Sequence, residues 1–182
     1  MKISQLFSKL EKSKTYKNFK VTEEGKDAFF CAGFFILNFK NNIFEYSLDF
    51  RNDKNIFTFK IPANEKKDEE ITLLKEDLIQ ASRPLEKIEE KDFKFKTDIE
   101  DIKEIILKEM QKAKITNSLN EIVVVLQIID AELLWNLTCM CEGFTILSSQ
   151  INPKTGELIK FDKKNLMDFV SVKKNDKSEN KK

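Results

Sequence analysis

Residues 44–50 have the sequence FEYSLDF, in which apolar and polar side chains alternate strictly. A period of two predicts a β-strand with one buried and one solvated face. The alternation recurs at residues 57–61, and residues 28–39 form a nearly continuous apolar run that is typical of a buried strand. Asparagine clusters at residues 41–42 and 52–55 separate these segments, and asparagine favours turns. We therefore expect an antiparallel meander in this part of the chain.

A helix is predicted on each side of this meander. Apolar residues from Ile3 to Leu10 follow the helical spacing i, i+3, i+4, i+7, so an amphipathic helix should extend to about Lys17. The segment is basic, and its apolar stripe either packs on the domain, which we favour, or lies on a membrane surface. Further along, Thr97 and Glu100 are expected to form a capping box at the start of a second amphipathic helix.

The remaining segments predict further strands. Residues 71–84 fit either a short helix or an edge strand that ends at Pro84, and residues 92–96 suggest a short strand. A hairpin turn is expected at residues 152–156, because Pro153 and Gly156 suit the turn positions. Four strands are predicted after the second helix, at Ile122–Ile128, Leu133–Met140, Phe144–Ile151 and Glu157–Phe161.

These elements predict an α+β fold, in which a helix packs on antiparallel sheet that is either continuous or divided into two abutting sheets. The chain can divide into two helix-plus-meander halves. We expect an N-terminal helix and meander at residues 1–96 and a helix with antiparallel sheet at residues 97–170. Residues 171–182 are rich in lysine and should form a disordered tail.

The composition excludes much catalytic chemistry. Histidine is absent, which removes histidine-based triads, general bases and metal ligands together. The four glycines form no phosphate-binding cluster. The 32 basic and 31 acidic side chains leave a formal net charge of +1, so no overall field attracts nucleic acid. We therefore expect a protein that is not an enzyme, carries no cofactor and binds no nucleic acid.

Three cysteines are the remaining candidates for a metal site. Cys139 and Cys141 are two residues apart on a predicted strand, so both thiols should project from one face. Together with Cys31 they could supply three soft ligands to zinc or copper. The interpretation we favour is that all three are small buried apolar side chains.

The C-terminal half carries a resemblance. From residue 98 to 161, a helix, an apolar strand, a strand centred on Trp135, a further strand and a hairpin with Thr-Gly-Glu at 155–157 follow in order. This order resembles the PepSY domain, although Asn152 stands where that family has an acidic residue. The resemblance implies a non-catalytic module that accompanies peptidases or membrane sensors. The whole chain also resembles an uncharacterised group of small archaeal proteins, which implies no activity.

Two functions remain open. The first is a protein- or peptide-binding or regulatory module of unknown pathway, which contacts its partner through a sheet edge or a helix–sheet groove. The alternative is a small-molecule carrier with an apolar pocket between helix and sheet. Trp135, Leu137 and Phe144 are the candidate lining residues of such a groove or pocket, and for Trp135 we favour a position in the core.

The location and assembly are expectations of the same kind. No secretory signal is recognisable in the first 20 residues, and no apolar stretch is long enough to span a bilayer. We expect a cytoplasmic protein with reduced thiols and no stable membrane insertion. Its partner would be a protein or peptide, and the chain itself would be a monomer or a homodimer.

Overall fold

The computed structural model describes residues 1–63, 70–78, 85–89 and 93–165. The four helices of these residues are α1 (Ile3–Lys12), α2 (Lys14–Lys20), α3 (Glu23–Asp27) and α4 (Ile99–Lys112). The eight strands are β1 (Phe29–Asn38), β2 (Ile43–Arg51), β3 (Asn55–Ile61), β4 (Thr72–Asp77), β5 (Leu119–Ile129), β6 (Glu132–Cys141), β7 (Thr145–Ile151) and β8 (Leu158–Asn165).

All eight strands belong to one antiparallel sheet in the order β4-β3-β2-β1-β5-β6-β7-β8. The predicted α+β class is confirmed. In each half, helical structure precedes four strands that pair with their sequence neighbours. β1 and β5 join the halves in the middle of the sheet, so an approximate twofold axis passes between them. The two strands pair antiparallel from Ala32 with Gln127 to Asn38 with Glu121. The division into domains at residue 96 stays a prediction.

One face of the sheet carries the core. Trp135, Phe35 and Phe59 on this face have no exposed surface. The helices pack there through their apolar stripes, which include Leu6 of α1 and Ile106 of α4, both also without exposed surface. The stripe of the basic N-terminal helix is therefore buried against the sheet.

The N-terminal helix differs from the predicted single helix. It divides at Ser13, whose backbone is extended and whose hydroxyl accepts a hydrogen bond from the Tyr16 N–H at 3.1 Å. A serine that caps a new helix in this way ends the one before it. A further short helix, α3, begins after Thr22, whose hydroxyl accepts from the Gly25 N–H at 3.0 Å.

The predicted capping box at Thr97 and Glu100 is wrong by one residue. Asp98 is the N-cap of α4, and Asp101 accepts from the Asp98 N–H at 2.9 Å. Asp98 Oδ1 accepts from Ile99 N–H at 2.7 Å and from Ile3 N–H, at the start of α1, at 3.0 Å. One carboxylate therefore joins the N-termini of both long helices.

Removing this carboxylate should weaken both helix starts. We expect Asp98→Ala to lower the free energy of unfolding by about 1–2 kcal/mol, because two backbone N–H groups lose their acceptor. Asp98→Asn retains an acceptor oxygen and should cost less. Urea unfolding followed by circular dichroism measures both variants. Equal losses in the two variants would contradict the capping role.

The Asn variant also isolates the titration of Asp98. Burial raises the pKa of the Asp98 carboxyl, against the hydrogen bonds that favour its ionised form. The folded chain therefore binds a proton at pH values where the unfolded chain has released it. The contribution of this group to stability rises as the pH falls toward the usual range of aspartate, and is lost as the pH rises through the raised pKa. Relative to Asp98→Asn, the wild type should gain stability on acidification.

The connection between the halves settles two further expectations. Of the helix and the edge strand considered for residues 71–84, the strand is correct over Thr72–Asp77, since β4 forms one edge of the sheet, and residues 79–84 lie outside the described residues. No strand forms at residues 93–96, where the rings of Phe93 and Phe95 turn toward the core and the Lys96 N–H donates to the Pro153 carbonyl at 2.8 Å. The predicted tail at 171–182 lies outside the described residues. Among the described helices, none has the length and apolar character needed to cross a bilayer.

Candidate functional site

The three residues proposed as a groove lining do not share a groove. Trp135 and Leu137 lie in the core, at 0 % and 2 % exposure, whereas Phe144 is 64 % exposed on the turn between β6 and β7. The Trp135 ring packs edge-on against Phe35 and Phe95, with centroids 6.0 and 5.5 Å away. Its Nε1–H donates to the Thr97 carbonyl at 2.9 Å, which fixes the chain immediately before α4.

The three cysteines are buried, and Cys31 lies far from Cys139 and Cys141. Cys139 pairs with Ile122, and Ile122 pairs with Leu37, which is six residues along β1 from Cys31. That offset separates Cys31 from Cys139 by roughly 20 Å along the strand direction. The described residues contain no group of three or more metal-type ligands.

The thiols should be unreactive in the folded protein. Burial raises the pKa of Cys31 and of Cys139 to about 12, with the charge of Asp49 adding to the effect at Cys31. Burial also raises the pKa of Cys141. Since the thiolate is the reactive form, we expect Ellman's reagent at mildly alkaline pH to label none of them at the rate of a free thiol. Urea should expose all three to complete labelling. Rapid labelling of the native protein would contradict the burial of that cysteine.

A groove of about 660 Å³ lies elsewhere, between the N-terminal helices and the end of the sheet where β1 begins and β2 ends. We call it the N-terminal groove. Its aromatic residues come from five separate segments of the chain. They are Phe7 of α1, Tyr16 of α2, Phe29 and Phe30 of β1, Phe50 of β2 and Phe93 before α4.

Five of the rings that line the N-terminal groove form one packed cluster. Phe30 and Phe50 are buried and provide its floor, with ring centroids 5.7 Å apart. Phe7 is half-buried and stands edge-on to Phe30 at 4.8 Å, and the ring of Phe93 lies 4.7 Å from that of Phe7. These offset and edge-on arrangements are favourable for aromatic pairs. The floor is therefore closely packed, and half-buried rings line its sides.

The wall formed by residues 85–89 is held by the main chain. The Ile88 N–H donates to the Phe30 carbonyl at 2.9 Å, so this segment runs beside the start of β1. The rim carries side chains of both charges in equal number. The basic ones are Lys20, Lys26 and Lys87, and the acidic ones are Glu11, Asp27 and Glu89. An apolar floor with a balanced charged rim suits an uncharged aromatic or aliphatic group that is attached to a polar backbone.

Comparisons with known proteins give information about the fold of this chain and not about its function. No family model matches the chain, and no curated protein matches it. A crystal structure from Clostridium difficile 630, provisionally described as that of a lipoprotein, is similar to this chain with a TM-score of 0.54 and 20 % sequence identity. The match covers 82 % of this chain and 90 % of that one, so the similarity extends across both halves of the sheet.

Proposed function

We propose that this protein is a non-enzymatic binding module that holds a peptide or a segment of a protein partner in the N-terminal groove. The observation that carries the proposal is the cluster of buried and half-buried aromatic rings that lines a groove of about 660 Å³. Aromatic pockets of this kind receive the anchor side chains that dominate binding energy in protein interfaces. The charged rim would fix the orientation of the partner rather than its affinity.

The edges of the sheet are a less favourable route for a partner. β4 ends with exposed Lys75, Glu76 and Asp77, and β8 exposes Lys160, Lys163 and Lys164. Charged side chains on an edge strand oppose the addition of a further strand. Of the two contact modes that the sequence suggested, the geometry therefore favours the groove.

The proposed absence of catalysis rests on the residue types. The groove lining offers carboxylates, lysines and a tyrosine, and the chain has no histidine. The buried thiols lie outside this lining. The resemblance of residues 98–161 to the PepSY domain supports a non-catalytic role, because members of that family generally act as accompanying modules.

The test is a random-peptide phage library selected on the immobilised full-length chain. We expect enrichment of peptides with an aromatic anchor. Phe93→Ala should raise their Kd at least tenfold, which corresponds to about 1.4 kcal/mol. Phe144→Ala, which removes an exposed ring far from the groove in the fold, is the matched control and should leave the Kd unchanged. Failure to enrich any peptide, or equal binding by Phe93→Ala and wild type, would contradict the proposal.

A small-molecule carrier is the alternative, because the groove volume also lies within the range of ligand pockets. A titration with anilinonaphthalene sulfonate, an apolar aromatic anion, separates the two functions. Saturable fluorescence enhancement that Phe93→Ala removes, together with the absence of selected peptides, would favour the carrier. Peptides that displace the dye from the groove would favour the binding module.

We also propose a cytoplasmic location, as the sequence predicts. The three free thiols support it, since unpaired cysteines are typical of reducing compartments. The similar Clostridium difficile protein is described as a lipoprotein, so a membrane-anchored location is the competing outcome. Fractionation of the source cells with an antibody against the chain decides between them.

A further inference from the structure

The face of the sheet opposite the core, here called the open face, carries exposed apolar side chains. None of the four described helices packs on it. Phe34 is 39 % exposed, Met140 is 40 % exposed and Ile43 is 51 % exposed. A large apolar patch on a soluble protein usually marks an interaction surface.

The open face has the anatomy of a protein interface. At its centre, Phe34 pairs with Val125 and Ile36 pairs with Val123, which places four apolar side chains side by side on β1 and β5. The flanking strands β2 and β6 extend these two rows of paired residues. Their residues there are uncharged and polar (Ser47, Asn136 and Thr138), except for Glu45. An apolar centre within a polar surround is the arrangement found in stable interfaces.

We propose that a second copy of this chain packs its open face against this one, around a twofold axis that runs parallel to the strands between β1 and β5. Two copies supply sheets of the same twist, and sheets of matching twist pack face to face about 10 Å apart. Rotation about such an axis leaves the position of each residue along the strand direction unchanged. It places β1 opposite β5 of the second copy, and β2 opposite its β6.

The register makes this arrangement self-complementary. Phe34 lies opposite Val125 of the other copy, and Ile36 lies opposite Val123. Ile43 and Met140, both exposed, are at one level, because Ile43 pairs with Asn38, Asn38 with Glu121 and Glu121 with Met140. The two exposed apolar side chains of β2 and β6 therefore meet across the axis.

Charges agree with the same axis. Arg51 pairs with Phe29, and Glu132 pairs with Ile129, at the same end of the sheet. The axis therefore brings the end of β2 that carries Arg51 opposite the end of β6 that carries Glu132 in the other copy. Across the four central strands, which are all described, no two like charges stand opposite each other. Opposite charges at facing positions set the register of such an interface.

The area of the face is sufficient for a stable dimer. Eight strands spaced about 4.8 Å apart, each of about seven residues at about 3.3 Å, give a face of about 900 Å². A stable interface buries about 800 Å² on each partner. A homodimer without a contribution from the helices must therefore bury the outer strands of the open face as well as the four central ones.

Sedimentation equilibrium of the full-length chain tests the assembly. We expect twice the monomer mass of 21.3 kDa. Val125→Glu places a charge at the centre of the open face and should raise the dimer Kd at least a hundredfold. Leu107→Glu alters a 43 % exposed leucine on α4, on the opposite side of the sheet, and should leave the dimer intact. Circular dichroism shows whether both variants are folded. A monomeric wild type, or a dimer lost only in Leu107→Glu, would overturn the proposal.

Cross-linking tests the axis independently of stability. Ile43→Cys and Met140→Cys are prepared separately, mixed and treated with a short bismaleimide, because facing thiols on sheets about 10 Å apart are too distant for a disulfide. The proposed axis predicts a cross-linked heterodimer that forms faster in the mixture than either homodimer forms alone. Mixing Ile43→Cys with Val21→Cys, at a 73 % exposed position outside the sheet, is the control and should give no such excess. An equal rate in both mixtures would exclude this packing.

Discussion

Replacing Trp135 with alanine is expected to lower the free energy of unfolding by about 3–5 kcal/mol, the range for a fully buried aromatic side chain. The ring has no exposed surface and packs between Phe35 of β1 and Phe95 of the connection before α4. It therefore joins the two halves of the sheet to the second helix. Denaturant unfolding followed by circular dichroism measures the loss. A loss below about 1 kcal/mol would contradict full burial of the ring.

A second substitution separates packing from hydrogen bonding at this position. Trp135→Phe retains an aromatic ring but removes the Nε1–H that donates to the Thr97 carbonyl. The carbonyl then remains buried without this donor, so we expect part of the loss, about 1–3 kcal/mol. Phe144→Ala is the control for a lost aromatic ring at a 64 % exposed position, and should change stability by no more than about 0.5 kcal/mol.

Adding one methyl group at Gly33 should have the next largest effect. A Cβ at this position would lie 2.6 Å from the Phe35 ring, which is too close for any real contact. Phe35 is fully buried between Tyr46 and Trp135, so its ring has no free space to enter. We expect Gly33→Ala to cost about 2–3 kcal/mol through overpacking. The same denaturant titration measures it.

The matched experiment shortens the obstructing side chain. Phe35→Leu opens space next to residue 33, so Gly33→Ala should cost less in that background than in the wild type. A double-mutant cycle of the four proteins gives the coupling energy. Additive losses would show that the two positions do not clash, and that the cost of Gly33→Ala has another origin.

The strands were largely predictable because their evidence is local. Alternation at residues 44–50 and 57–61 predicted β2 and β3, and the turns between strands follow from residues that accept unusual backbone angles. Asn42 has φ of 52° and Gly156 has φ of 72°. The hairpin at 152–156 is confirmed, with Asn152 Oδ1 accepting from the N–H groups of Lys154 and Thr155.

Other features depend on contacts between distant residues. Asp98 with Asp101 and Thr97 with Glu100 fit the capping pattern at adjacent positions. The hydrogen bonds from Trp135 to Thr97 and from Ile3 to Asp98 favour the helix start at Asp98. Neither bond can be inferred from the spacing of residues in the sequence. The pairing of β1 with β5 is equally non-local, so the sequence left one sheet and two sheets as alternatives.

The N-terminal groove escaped prediction for the same reason. Its six aromatic residues lie on five segments, and each fits the local pattern of its own segment. Phe7, for example, belongs to the helical stripe of the first ten residues. The sequence instead drew attention to Trp135 as the single tryptophan, and the structure places this residue in the core.

The central pairing also determines how the chain must fold. Seven strand pairs make up the sheet, and six of them join strands that follow each other in sequence, whereas β1 and β5 bring together residues about 90 positions apart. Closing a loop of this length is the largest single entropic barrier in the topology. Each meander can form early from local contacts. The rate of folding should therefore depend most on residues at the β1–β5 seam, where the two halves of the chain must find each other.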